Sequence, residues 1–272
     1  MIFKSEFTNF TMSVRAGFKE RSGKQKLTNQ QKLWPPVLSI VVVAVIALAI
    51  VLLPFDATLS RLAFTSQIWP VPQLRKLTDL VLATPYIVLF VLMILCALVA
   101  RWQLRQRQKM SWRPSQSIEI YHRLGAVIGH CLFGMLAILT AGLLVNILKC
   151  VVGRPRPSLI DVVGPFAFKP FSYTYSYVSF PSGHACTAAV LATLVALWLP
   201  KYRIIAYVGL GLIASIRVAV QAHYPSDVLV GFVFGAVITL ILARFLAQAN
   251  LLFRLEPGRV FPVVKKNSGP VI

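Results

Sequence analysis

Apolar residues fall in six long runs: about Trp34–Leu53, Leu77–Ala100, Leu124–Leu148, Ala185–Leu199, Ile204–Val220 and Val228–Ala247. A bilayer core takes roughly 17–25 helical residues. The runs therefore predict an all-α integral membrane bundle of six transmembrane helices. The fourth run is short unless Ser182–His184 are counted into its helix, which sets that polar stretch at membrane depth. Ahead of the runs, Phe3, Phe7, Phe10, Val14 and Phe18 recur at three- or four-residue spacing. This spacing suits an amphipathic helix lying on a membrane surface, with a flexible basic tail as the alternative. No repeat or linker interrupts the pattern. The expected organisation is a basic tail over 1–33, one membrane domain over 34–250 and a second tail over 251–272.

Composition agrees: 57% of the 272 residues are hydrophobic and 13% charged, with a mean hydropathy of +0.72. The net charge of +20 can signal nucleic-acid binding, but the bases lie between long apolar runs. That grouping fits loops against an anionic leaflet, so membrane lipids and not nucleic acid are the expected partners. Placing both termini in the cytoplasm puts 20 of the 28 bases on the cytoplasmic side. The positive-inside rule thus gives a multi-pass membrane protein with both termini cytoplasmic. The four cysteines, Cys96, Cys131, Cys150 and Cys186, have no metal-ligand spacing and read as small hydrophobes.

With that topology three polar clusters converge on the opposite, periplasmic face. The first is Lys149 through Arg154, Arg156 and Pro157, where a lysine and a proline-stiffened arginine can clamp phosphate oxygens. An interfacial basic anchor is the plainer reading of Lys149 or Arg154 taken singly. The second is Pro181-Ser182-Gly183-His184, a helix start with Ser182 as N-cap and Gly183 admitting a ligand close to the backbone. The third is Arg217 through His223 to Asp227. Arg217 sits inside an apolar run, where a charge is expensive. Asp227, four residues after His223, is expected to accept a hydrogen bond from one ring nitrogen and leave the other as a nucleophile. Asp56, Asp79 and Asp161 are expected to be solvated loop acids, and the scattered acids offer no metal site. His130 and Asn146 are expected to hydrogen-bond between helices, Asn146 also being placed to support the site.

These clusters resemble the type 2 phosphatidic acid phosphatase superfamily of membrane lipid phosphatases. Lys149 with Arg156-Pro157, Pro181–His184, and Arg217 with His223 and Asp227 match its three motifs. Ile216 stands where the family has a serine, and Ser215 is one position early. The resemblance implies that His223 attacks phosphorus to form a phosphohistidine, Asp227 orients it, and His184 protonates the leaving group. Lys149, Arg156, Ser182, Gly183 and Arg217 would hold the phosphoryl oxygens, with no metal or other cofactor. The implied substrate is a lipid phosphate. Gly164-Pro165-Phe166 through Phe180 is similar to members acting on lipid A 1-phosphate, and phosphatidylglycerophosphate and undecaprenyl diphosphate are the alternatives. The aromatics of 158–180 read as an interfacial belt or as a lid over a head group. Vanadium haloperoxidases resemble the same site but are soluble, unlike six apolar runs. A non-enzymatic transporter would carry polar residues through the midplane.

Overall fold

The computed structural model describes residues 32–66, 70–108 and 114–265. The amphipathic stretch expected at 3–18 lies outside them, as do Trp69 and Trp112. The apolar runs fold as helices: α1 (Pro36–Leu52), α2 (Asp56–Thr65), α3 (Val71–Thr78), α4 (Ala83–Gln108) and α5 (Pro114–Val152). A single turn, α6 (Ile160–Val163), precedes α7 (Gly183–Trp198), α8 (Arg203–Ala219) and α9 (Pro225–Gln248). Apart from Pro36 and Ser39, α1 is built of Val, Ile, Leu and Ala, so it has no polar face to offer water. Among the described residues, five segments are long and apolar enough to cross a membrane: Pro36–Thr65, Val71–Gln106, Ile118–Val163, Pro200–Ala219 and Pro225–Gln248. The fourth run becomes α7, apolar but only 16 residues long. The structure adds a short antiparallel pair, β1 (Phe253–Arg254) with β2 (Val263–Val264), to the expected all-helical chain.

The chain divides into two compact units. One comprises residues 1–35, 84–136 and 240–272. Within its described residues Phe253 is fully buried, with the Phe133 and His130 rings edge-on to it at 5.0 and 5.6 Å. Leu251 and Leu252 are buried too, so the tail expected from residue 251 begins as core. Arg244 is fully buried and donates to the carbonyls of Lys32 and Val260. Carbonyl partners offset much of the cost of burying that guanidinium.

The other unit, residues 36–83 and 137–239, holds all three polar clusters. Its centre is α7, whose Ala185, Ala188, Ala189, Ala192 and Ala196 are fully buried. Alanines let neighbouring backbones come close, and α9 answers with Gly231 and Gly235. A Cβ on Gly231 would lie 3.0 Å from the Ser182 nitrogen, and one on Gly235 2.9 Å from the Cys186 carbonyl carbon. The two helices can touch there only because both positions are glycine. Ala185, Ala188, Ala214, Val218, Val228 and Val81 form the apolar cluster beside this crossing.

Candidate active site

Four local devices bring the polar clusters together. α5 ends where Gly153 adopts a positive φ of 61° and donates to the Lys149 carbonyl. Only glycine fits that turn, since a Cβ would overlap the Lys169 backbone. Next, Arg156 N–H donates to Ser176 O at 2.8 Å and Ser179 N–H to Arg154 O at 3.0 Å, which ties the first cluster to the aromatic loop. Ser182 caps α7, its hydroxyl accepting from Ala185 N–H at 3.4 Å. Finally, Ser182 N–H donates to the Asp227 carbonyl at 3.0 Å, so the second cluster is joined to the start of α9.

The anion-binding residues expected from the sequence lie in this one unit. The Lys149 ammonium approaches Gly183 so closely that a Cβ there would be 3.5 Å from it. Arg156 donates from Nε to Tyr175 O at 2.8 Å and from Nη1 to Ala222 O at 3.2 Å. The Tyr175 ring lies 3.8 Å from its guanidinium carbon. Arg217 donates to Thr78 Oγ1 at 3.1 Å. Lys149, Arg156 and Arg217 all act electrostatically on both His223 and His184. Two imidazoles thus share one positive field at the start of a helix, an arrangement suited to a phosphate.

His223 is buried, and its Nδ1 lies 2.7 Å from the Ser179 carbonyl. A carbonyl only accepts, so Nδ1 carries the proton and Nε2 keeps its lone pair. Burial pushes the imidazole well below its ordinary value of 6.5, and the charges on Lys149, Arg156 and Arg217 push the same way. The ring is therefore neutral at neutral pH.

Asp227 does not make the direct hydrogen bond to His223 that was expected of it. Its Oδ2 is 3.9 Å from His223 Nδ1, too far for a hydrogen bond, and a neutral ring makes no ion pair. Both carboxylate oxygens are already taken. Oδ1 accepts from Arg154 Nη1 at 2.5 Å, and Oδ2 accepts from the Ser179 hydroxyl at 2.6 Å and Tyr224 N–H at 3.0 Å. The last bond is half of a capping box at the start of α9.

Asp56 also departs from expectation. Expected as a solvated loop acid, it is fully buried and pairs with Arg154 at 2.8 Å. Asp161 is exposed and pairs with Arg61. Asn146, expected to bond between helices or support the site, is exposed and donates to Gly142 O of its own helix. Ser215 is likewise exposed, its hydroxyl turned back to the Leu212 carbonyl. It supplies no contact in place of the serine that Ile216 replaces. Arg154, read singly as an interfacial anchor within the first cluster, is buried among these residues, as are Ser179 and Ser226, to which the sequence assigned no site role. No group of three or more acids, histidines or cysteines suited to a metal occurs among the described residues.

Residues 130–251 match the family described as the PAP2 superfamily. Two curated proteins named lipid A 1-phosphatase, from Rhizobium etli and Rhizobium johnstonii, are each 41% identical to this chain. The first match covers 46% of this chain and 57% of the relative, the second 51% and 56%. The chain thus spans little more than half the length of the curated relatives it matches. A transmembrane PAP2 type phosphatidylglycerolphosphate phosphatase from Bacillus subtilis aligns with a TM-score of 0.48 and 23% identity, covering 74% of this chain and 93% of that one.

Proposed function

We propose that the protein is a membrane phosphatase that hydrolyses a lipid phosphate at the periplasmic face, with lipid A 1-phosphate as its first substrate. The reading rests above all on His223, a neutral imidazole with Nδ1 committed to a carbonyl and three cations acting on it. The substrate choice rests on the names of the two relatives that are 41% identical.

In the proposed reaction His223 Nε2 attacks phosphorus in line while the bond from phosphorus to the lipid oxygen breaks. His184, entering as the imidazolium paired with the bound phosphate anion, supplies the proton that the leaving oxygen needs. Water then attacks the phosphohistidine, gives a proton to His184 and releases inorganic phosphate, which restores neutral His223 and protonated His184. Lys149, Arg156 and Arg217 balance the charge on the phosphoryl oxygens, and Ser182 and Gly183 receive the group at the start of α7. Fixed positive charges at the developing charge supply much of the barrier reduction in such transfers. Topologically, α7 acts as a sixth crossing beside the five longer spans, with both termini cytoplasmic.

The test is phosphate release from lipid A by purified protein in detergent with EDTA, beside phosphatidylglycerophosphate and undecaprenyl diphosphate. Release should persist in EDTA, and His223→Ala should lower it by about 10³-fold or more. Wild-type turnover by His223→Ala would sink the covalent route, and turnover of another lipid alone would reassign the substrate.

A further inference from the structure

Asp56 lies outside residues 130–251, yet its carboxylate is bonded into the site. Oδ1 accepts from Ser226 N–H at 3.0 Å. Oδ2 accepts from Arg154 Nη2 at 2.8 Å and from the Ser226 hydroxyl. Arg154 spans onward, donating from Nη1 to Ser226 Oγ at 2.8 Å and to Asp227 Oδ1 at 2.5 Å. The Tyr224 ring covers its guanidinium at 4.1 Å. Asp56, Ser226 and Asp227 are fully buried and Arg154 is 1% exposed. Charge-assisted bonds in such a setting are strong and directional.

We propose that Asp56 is a positioning residue of the active site, acting through Arg154 and Ser226 on Asp227, and through Asp227 and Ser179 on the His223 ring. The geometry gives the route. Arg154 divides its two terminal nitrogens between Asp56 and Asp227, so Asp227 meets it through one oxygen only. The other oxygen stays free for the Ser179 hydroxyl, and the carbonyl of that same serine holds His223 Nδ1. Without the Asp56 charge, Arg154 can turn both nitrogens onto Asp227, because a guanidinium matches a carboxylate through two parallel bonds. The Ser179 hydroxyl is then displaced and the imidazole loses its fixed acceptor. Lys149, Arg156 and Arg217 are untouched, so binding of the anion survives while attack is misaligned.

The kinetic part of the test rests on the phosphatase reading, and the spectroscopic part does not. Asp56→Asn keeps the shape but places an amide where donors point. It should lower kcat by roughly 10–100-fold with KM within about threefold, the scale of a small misplacement of a reacting group. The chain has four histidines, so ¹⁵N-histidine labelling gives a tractable ring spectrum in which loss of signals in His223→Gln identifies His223. The wild type should show His223 as one neutral Nδ1–H tautomer, and Asp56→Asn a mixture. If Asp56→Asn does not fold, Ser226→Ala removes the bridging hydroxyl without changing charge. It should give a smaller kcat loss and the same tautomer mixture. An unchanged His223 spectrum in the folded variant overturns the proposal, even where kcat falls, as does a loss confined to KM. If the wild type turns over no lipid phosphate, the phosphatase reading fails and the spectrum alone decides the role of Asp56.

Discussion

At the scale of single residues, the site depends on His223 being both neutral and aimed. Burial and three cations hold its pKa well below 6.5, so the proposed nucleophile is already deprotonated at pH values where a free imidazole is half charged. The acid limb of kcat/KM due to His223 should therefore fall clearly below pH 6.5, and a pH–rate profile of the purified protein checks it. The same shift has a stability sign. An unfolded His223 takes up a proton below about pH 6.5 that the folded ring refuses, so stability declines as pH drops through that window. His223→Gln should flatten this part of the decline in thermal melts. Residues of this kind were legible in sequence because a charge or imidazole inside or at the end of an apolar run stands out: Arg217 lies inside one, Lys149 directly follows one and His223 falls between two. Asp56 was not, because its partner Arg154 is 98 positions away and nothing local distinguishes a buried acid from a loop acid at the end of a run. Ser179 was hidden for another reason. The group it presents to His223 is a backbone carbonyl, which every residue has.

At the scale of elements, the site is held where α7 crosses α9. Gly231 and Gly235 are four apart on one face of α9 and meet the backbone of Ser182 and Cys186. Gly231→Leu should force the helices apart, costing roughly 1–3 kcal/mol as overpacking. It should also part Ser182 N–H from the Asp227 carbonyl, so activity should fall further than thermal stability suggests. A variant that melts lower but keeps full turnover would show the crossing to be mere packing. The apolar runs announced these helices, and Ser182 and Pro225 announced where α7 and α9 begin. The run pattern closed the first span at Leu53, whereas it continues to Thr65. After α1 the chain passes through a tight turn at 53–55 and continues as α2, whose first residue is Asp56. An acid at a helix start is favoured by the helix dipole whether it faces water or protein, so its position did not reveal its burial.

At the scale of the whole molecule, orientation is set by charge. The 20 bases assigned to the cytoplasmic side make one prediction that needs no knowledge of the substrate. A single cysteine placed at the exposed Phe171, in a background lacking Cys96, Cys131, Cys150 and Cys186, should react with a membrane-impermeant reagent from outside spheroplasts. Labelling only after lysis would invert the topology. In the proposed six-span topology the length of α7 bears on the surrounding lipid. Its 16 residues reach about 24 Å, some 6 Å short of a typical hydrocarbon thickness of about 30 Å. Hydrophobic mismatch of this size is relieved by thinning the bilayer locally or by letting polar groups dip beneath its surface. Ser182, Gly183 and His184 stand at that recessed end. For the proposed lipid phosphate substrate, the distance to travel out of its own leaflet is then shorter, and membrane thickness becomes a variable of the proposed reaction in its own right.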